Sequence, residues 1–245
     1  MIRPKILHIH EVTSTNDMAK SMLRNDDNEK WDVILAEHQT NGRGQRENVW
    51  ISSAGQNLTM SLIQRSTSLK GHTPWTISMA TALSIRDLIA QETGRDCFVK
   101  WPNDIIVADK KIAGVLIENI WAGDSIKYSI IGIGLNLRQR DFGKVIAATS
   151  LCEFTEEIRD IQFYCEQLFE NLSHYLLDKD ISTISKKYHR FLYRIHETSC
   201  IELNGIKLSD EMMGVSNEGL LITRDTNGTE LLRNHPETRV LYRHQ

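Results

Sequence analysis

The sequence has few cysteines that could cross-link a small fold and no long apolar run that could anchor a protein in a membrane. Its 245 residues include only four cysteines, which lie far apart and never form a C-x-x-C pair. That spacing argues against a zinc cluster and against a disulfide framework, and it fits a reducing cytoplasm. The N-terminal residues lack the apolar core of a signal peptide, and the longest apolar runs are too short to span a bilayer, so neither secretion nor membrane insertion is predicted.

An excess of positive charge is also missing. The chain has 29 Lys and Arg against 32 Asp and Glu, a net charge of -3. No global positive field therefore exists to hold a nucleic-acid backbone, and DNA is not a predicted partner. With 40% hydrophobic and 25% charged residues, the composition is that of an ordinary folded protein.

Several common catalytic motifs are absent from the sequence. It contains no G-x-G-x-x-G, no Walker loop, no H-E-x-x-H and no G-x-S-x-G. The usual nucleotide-binding loops, the zinc hydrolases and the serine hydrolases are therefore disfavoured.

The hydrophobic pattern predicts an α+β fold. Between residues 97 and 137, closely spaced β-rich runs with tight breaks indicate an antiparallel meander. The other predicted elements are strands at 6–12, 31–39 and 57–64, a helix after Ser14, an amphipathic helix over 75–92 that ends at Gly94, and two helices between 160 and 193. A long run poor in aliphatic side chains, from 40 to 56, is predicted to be a mobile loop.

The last fifty residues have a different sequence pattern from the rest of the chain. Short β-rich runs alternate with Asn204-Gly205, Asn217-Glu218-Gly219 and Asn227-Gly228, which are typical hairpin turns. We expect one domain over 1–194 and a small β domain over 195–245, which by its size suits an SH3-like barrel.

Two segments combine charge with a constrained backbone. N-G-R-G-Q-R at 41–46 joins glycines to arginines, which suits an anion, although a plain flexible hairpin explains it as well. K-W-P-N-D at 100–104 places Lys100 and Asp104 on a turn that could hold a ribose, a phosphate or magnesium. A capped turn with a surface ion pair is the alternative.

Three further segments carry candidate binding residues. In D-K-K-I-A-G at 109–114, strand alternation places Lys111 on the face of Ala113 and turns Lys110 to solvent. In G-I-G-L-N at 132–136, two glycines on one face indicate a close approach by a ligand or by packed backbone. S-T-N at 14–16 reads equally well as a helix N-cap.

Taken in this order, the five motifs between Ser14 and Asn136 resemble the signature of the biotin protein ligases, the BirA-like biotin--[acetyl-CoA-carboxylase] ligases. The resemblance implies a class II synthetase-like fold, with a mixed, largely antiparallel sheet, flanking helices and a small C-terminal SH3-like barrel. It implies activation of biotin by ATP, with Mg²⁺, to biotinyl-5′-AMP. Transfer of the biotin to a lysine of a biotin carboxyl carrier protein would follow.

The resemblance also implies roles for individual residues. Lys111, Arg43 and Asp104 would be catalytic, and Asp104 would hold the metal ion. The residues that would bind biotin and the nucleotide are Ser14, Thr15, Asn16, Gln39, Gly42, Arg43, Gly44, Gln45, Arg46, Trp50, Asn103, Lys111, Gly114, Gly132, Gly134 and Asn136.

The chain departs from the family pattern in the glycine-rich loop. Gln45 stands where many members have a second arginine and Glu47 where they have glycine, so Arg46 is our candidate for the second anion ligand. Too few residues precede Ser14 for a helix-turn-helix, and we expect a ligase that is not also a DNA-binding repressor. A homodimer built on exposed sheet edges remains open.

Two rival functions remain. A lipoate ligase or octanoyltransferase would use a similar sheet and a similar lysine, but the K-W-P-N-D and G-R-G motifs disfavour it. A sensor that binds biotinyl-AMP without turnover would not need Lys111, so the presence of that lysine favours an enzyme.

Overall fold

The computed structural model describes residues 3–24, 31–45, 48–67, 69, 71–143, 147–177 and 180–242. A seven-stranded sheet forms its larger part. The strands are β1 (Ile6–Val12), β2 (Val33–Gln39), β3 (Asn57–Arg65), β4 (Cys97–Lys100), β5 (Asp104–Val107), β6 (Lys110–Ala122) and β7 (Ser125–Asn136), in the spatial order β1-β2-β3-β7-β6-β5-β4. Only β1 and β2 pair in parallel; the other neighbours are antiparallel. The predicted mixed, largely antiparallel sheet is confirmed.

Four α-helices accompany this sheet. They are α1 (Thr15–Arg24), α2 (Pro74–Thr93), α3 (Ile161–Leu177) and α4 (Ile181–Arg190), and a 3₁₀ turn spans Leu151–Glu153. The helix α2 ends where predicted, because Gly94 takes a left-handed conformation with φ 61°. The helix α4, one of the two helices predicted between 160 and 193, begins at Ile181, where the Asp180 carboxylate accepts hydrogen bonds from the backbone N–H groups of Ser182 and Thr183.

The two faces of the large sheet are covered differently. Leu58, Met60 and Leu62 of β3 join the main core, which includes residues of α2 and α3. On the other face, Ile63 packs in a smaller cluster with Ala19 of α1. Because α1 covers only part of this second face, its remainder is open to form a site.

The C-terminal part forms a second sheet. Its strands are β8 (Thr198–Leu203), β9 (Ile206–Val215), β10 (Leu221–Arg224), β11 (Glu230–Arg233) and β12 (Thr238–Val240), in the order β11-β10-β9-β8-β12. This small sheet rests on the larger part of the chain: the Trp101 indole N–H donates to Gly219 O over 2.9 Å. Among the described residues, no helix is long and apolar enough to cross a bilayer.

Candidate functional site

A pocket lies on the α1 face of the large sheet, and glycines form its floor. Gly132 and Gly134 lie two apart on β7, and Gly114 of β6 stands opposite Gly134. A Cβ added to Gly132 would lie 2.5 Å from Asn16 Oδ1, and one added to Gly134 would collide with the Trp50 ring. These glycines therefore let side chains from α1 and from the loop rest directly on the sheet.

One end of this pocket is a network of polar groups held by α1. Asn16 is buried; its Oδ1 accepts from Ser61 Oγ over 2.6 Å, and its Nδ2 donates to Glu118 Oε2 over 2.9 Å. The backbone N–H of Thr15 donates to Gln39 Oε1 over 2.8 Å. Donors and acceptors thus converge at fixed positions, which suits a small polar ring with both kinds of group.

Lys111 forms the other end of the pocket and is paired with Asp104. Lys111 Nζ lies 2.5 Å from Asp104 Oδ1, and Lys100 Nζ lies 3.6 Å from Asp104 Oδ2. Burial alone would raise the pKa of Asp104, but the two ammonium groups, with a hydrogen bond from Tyr242, hold that pKa below its usual value. The carboxyl group is therefore ionised. Burial lowers the pKa of Lys100, and the charge of Asp104 opposes that shift. With both lysines protonated, the two ammonium groups and the carboxylate carry a formal net charge of +1.

The orientation of Lys111 corrects a sequence prediction. The register pairs Ile105 with Ala113 but Ile106 with Lys111, so Ile112 is the extra residue of a β-bulge. Lys111 consequently lies on the face of Gly114 and Asp104, and a Cβ on Gly114 would lie 3.0 Å from Lys111 Nζ. The predicted shared face with Ala113 is wrong because alternation fails across a bulge, whereas Lys110 is exposed as predicted.

The glycine-rich loop folds back over the pocket. Arg43 and Val49 form an isolated β-bridge, and Trp50 N donates to Gly42 O over 2.9 Å. The Trp50 ring rests on Gly114 and Gly134, and its indole N–H is buried with no hydrogen-bond partner among the described residues. With the ring there, the free volume of the pocket is about 40 Å³, enough for a water or two but not for a bicyclic ligand.

Arg43 lies away from Lys111 and Lys100 and pairs with carboxylates instead. Its Nη1 lies 2.5 Å from Asp17 Oδ1 and its Nη2 3.4 Å from Glu118 Oε1. Glu118 also accepts from Lys20 Nζ over 2.6 Å. These ion pairs hold the loop against α1 and β6.

A second cavity adjoins the first and is shared with the small sheet. This cationic cleft, of about 470 Å³, is lined by Lys100, Asp104 and Lys111 from the large sheet and by Arg239 and Tyr242 from the C-terminal part. Because its side chains carry more positive than negative charge, the cleft suits a polyanion such as a phosphate chain.

The structure brings most of the predicted site residues together, in two groups. The pocket is lined by Ser14, Thr15, Asn16, Gln39, Arg43, Gly44, Trp50, Lys111, Gly114, Gly132 and Gly134. Gln45, Asn103 and Asp104 line the cationic cleft, which Gly44, Trp50 and Lys111 also reach. Arg46 lies outside the described residues, as does Glu47.

Three of the predicted site residues make close contacts with backbone carbonyl groups of the protein. Gly42 lies under the Trp50 carbonyl, where an added Cβ would come within 2.5 Å of the oxygen. Asn103 Nδ2 donates to Val115 O over 2.6 Å, which ties its turn to β6. Asn136 Nδ2 donates to Thr149 O over 2.9 Å, beside the pocket rather than in its wall.

Sequence reasoning missed four residues that shape the site. Glu118 could have been found, because it follows Gly114 and Leu116 on one face of β6. Ser61 could also have been placed through alternation along β3. Arg239 and Tyr242 carry no such signal, because only the packing of the small sheet brings them to the cleft.

The described residues give Mg²⁺ no prepared site of its own. Both oxygens of Asp104 already contact ammonium groups, and Oδ2 also accepts from Tyr242. No group of three or more His, Cys, Asp or Glu side chains in the described ranges could hold a metal ion. These residues fit a phosphate better than a metal held by the protein.

Comparison with known proteins identifies the relatives of this chain. The model of the Biotin/lipoate A/B protein ligase family matches residues 9–136. The Bifunctional ligase/repressor BirA of Bacillus subtilis is 32% identical over 152 residues, which are 62% of this chain and 43% of that protein. The Biotin--[acetyl-CoA-carboxylase] ligase of Mycobacterium tuberculosis is 31% identical over 128 residues, 49% of this chain and 45% of that protein.

The chain thus spans less than half the length of these two relatives. Among solved structures, a biotin protein ligase from Aquifex aeolicus in complex with biotin and ATP superposes with a TM-score of 0.78. It is 23% identical, and the match covers 97% of this chain and 99% of that one. This likeness extends the shared fold over both sheets.

Proposed function

The chain belongs to the biotin/lipoate A/B protein ligase family, and we propose that it acts within that family as a biotin protein ligase. In the first reaction an oxygen of the biotin carboxylate attacks the α-phosphorus of ATP; the bond to the β-phosphate breaks and pyrophosphate leaves. In the second, the amine of a carrier lysine attacks the acyl carbon of biotinyl-5′-AMP and AMP leaves.

The observation that carries the proposal is the order of groups along the site. A polar network with donors and acceptors lies at one end, the Lys111–Asp104 pair at the other, and the cationic cleft beyond it. Biotin has the same order, with a ureido ring at one end and a carboxylate at the other. The cleft would then take the phosphates of ATP.

The residues divide the work accordingly. Ser14, Thr15, Asn16 and Gln39 would bind the ureido ring above Gly132. Lys111 would neutralise the approach of a carboxylate to a polyanion and the charge that grows at phosphorus. Arg43 and Arg46 would join it once the loop closes over the ligands, and Asn103 and Asn136 would meet the ribose and the adenine. Gly42, Gly44 and Gln45 would belong to that closing loop.

Biotin enters only when Trp50 leaves the glycine floor, because the free volume beneath the ring is about 40 Å³. The indole would then pack on the adenylate side and exclude water from the mixed anhydride, which hydrolyses readily. Mg²⁺ would accompany the phosphates of ATP, because both oxygens of Asp104, the ligand predicted from the sequence, already contact lysines.

The remaining parts of the proposal concern organisation and partners. We propose a catalytic domain over 1–194 and a small domain over 195–245, with its five strands closed as an SH3-like barrel in a class II synthetase-like fold. The acceptor would be a biotin carboxyl carrier protein in the cytoplasm. Operator DNA would not be a partner, since the net charge is -3.

The proposal is tested by ligand discrimination and turnover together. Biotin should raise the Tm of the protein and lipoate should not, and ATP with biotin should release pyrophosphate. Stabilisation by lipoate instead of biotin would make the protein a lipoate ligase. Binding of biotin and ATP with no pyrophosphate release would make it a sensor.

A further inference from the structure

The side chain of Tyr242, in the C-terminal part, reaches the Asp104 carboxylate at the centre of the site. Tyr242 follows β12, which pairs with β8, and the backbone N–H of Leu241 donates to Cys200 O over 3.0 Å. The backbone on which Tyr242 stands is therefore tied to the small sheet up to the preceding residue. Its ring and hydroxyl nevertheless lie against residues of the large sheet.

Tyr242 makes two different contacts with the charged cluster. Its hydroxyl donates to Asp104 Oδ2 over 3.0 Å, and Lys100 Nζ lies 4.4 Å from the centre of its ring. The two oxygens of Asp104 are thus divided: Oδ1 contacts Lys111, and Oδ2 is shared by Tyr242 and Lys100.

This division has an electrostatic consequence. An aromatic face stabilises an ammonium group without neutralising it. Lys100 is buried, with 8% exposure, so its ammonium group needs a stabilising neighbour. A second carboxylate at this place would cancel the formal net charge of +1 that attracts an incoming phosphate, whereas an aromatic ring does not. A tyrosine hydroxyl on Oδ2 also keeps the carboxylate from turning wholly toward Lys100 and away from Lys111.

We propose that Tyr242 is a positioning residue for adenylation: its hydroxyl holds the Asp104 carboxylate so that Lys111 stays aimed at the pocket, while its ring packs against the Lys100 ammonium group at the cationic cleft. This inference rests on the proposed function. It makes the segment that follows β12 a part of the active site.

The helical layer supplies a matched control. Tyr175 Oη donates to Asp87 Oδ2 over 2.5 Å, and Lys187 Nζ lies 5.2 Å from the centre of the Tyr175 ring. The same three residue types therefore meet on α2, α3 and α4, outside both cavities as the described residues line them. Here Lys187 Nζ also donates to Tyr175 Oη over 2.6 Å, so the hydroxyl of Tyr175 has one more partner than the described contacts give that of Tyr242. Tyr175→Phe removes the same hydroxyl as Tyr242→Phe without touching the site.

The test is biotin-dependent exchange between ATP and pyrophosphate, measured for the wild type, Tyr242→Phe, Tyr242→Leu and Tyr175→Phe. We expect Tyr242→Phe to lower kcat about tenfold, the scale of a hydrogen bond to a charged group, with KM for biotin unchanged. Tyr242→Leu, which also removes the aromatic face, should in addition raise KM for ATP. Tyr175→Phe should match the wild type in kcat and in both KM values.

The alternatives are distinguishable. An active wild type with equal kcat in the two Phe variants would overturn the role of Tyr242 and leave the proposed function standing. If Tyr242→Phe loses activity only through a higher KM for biotin, or only lowers the Tm with kcat unchanged, Tyr242 is a structural contact. Either result would also overturn the proposal. No exchange by the wild type would remove the proposed function and this inference with it.

Discussion

At the scale of single residues, Lys111 and Lys110 provide a direct comparison. Lys111 contacts Asp104 beside the glycine floor, whereas its neighbour Lys110 is exposed. We predict that Lys111→Ala lowers the rate of adenylation by about two orders of magnitude or more, because it removes a cation that meets the charge developing at phosphorus. Lys110→Ala should retain nearly full activity. Single-turnover measurement of pyrophosphate release checks both variants. Equal losses of activity in the two would refute the assignment of Lys111 as the catalytic lysine.

A second residue-scale prediction concerns the floor. In Gly132→Ala the new methyl group would lie 2.5 Å from Asn16 Oδ1, so Asn16 must move and its bond with Ser61 must break. We expect biotin affinity to fall about tenfold or more, since a fixed hydrogen-bonding group is displaced. Titration calorimetry measures this, and circular dichroism should show an unchanged fold. Wild-type affinity in this variant would place the ureido end of biotin elsewhere.

How far the sequence specified these residues depends on the regularity of the strand. Between Tyr128 and Asn136, β7 pairs in regular register with both of its neighbours, so the spacing of Gly132 and Gly134 correctly placed them on one face. β6 has a bulge at Ile112, and the same reasoning placed Lys111 on the wrong face. A bulge is defined by the partner strand, so one strand's pattern does not reveal it.

At the scale of elements, the glycine-rich loop is the part expected to change. Arg43 is tied to Asp17 and Glu118, and Trp50 occupies the floor, so both must rearrange when ligands bind. We predict that trypsin cleaves after Arg43 in the free protein and that biotin plus ATP protects this bond, because phosphate contacts offset the entropy of ordering the loop. Arg140, whose side chain is 70% exposed, is the internal control and should be cleaved equally in both states. Equal cleavage after Arg43 with and without ligands would contradict loop closure.

The elements themselves were largely predictable. Apolar periodicity and caps located the strands of the meander and the end of α2 at Gly94. The ion pairs of Arg43 were not, because Asp17 and Glu118 lie 26 and 75 residues away along the chain. Hydrophobic periodicity predicts which residues are buried, but it does not predict which charged side chains form ion pairs.

At the scale of the whole molecule, the packing of the C-terminal part against α2 can be probed at a glycine. Gly219 has φ 90° and an added Cβ would lie 2.9 Å from the Trp75 ring; Gly228 has φ 83° with open space around it. Both alanine variants share the cost of a positive φ, so the difference between them isolates the docking contact. We expect Gly219→Ala to lose about 1–3 kcal/mol more stability than Gly228→Ala, and to lose adenylation as Tyr242 shifts. Chemical denaturation and pyrophosphate exchange measure the two effects, and equal behaviour of the variants would show that the docking contact is dispensable.

The small sheet also marks the limit of sequence reasoning. Its strands and turns were predicted from the Asn-Gly pairs, but Tyr242 and Asp104 are 138 residues apart and meet only through its docking. The contribution of the C-terminal part to the site is a property of tertiary packing.

The central claim, that this chain activates biotin with ATP, is tested most directly by native mass spectrometry of the purified protein incubated with biotin, ATP and Mg²⁺. The account predicts a bound species with the mass of biotinyl-5′-AMP, present in the wild type, absent without ATP and nearly absent in Lys111→Ala. Biotin and ATP bound side by side, with no adenylate in the wild type, would contradict it.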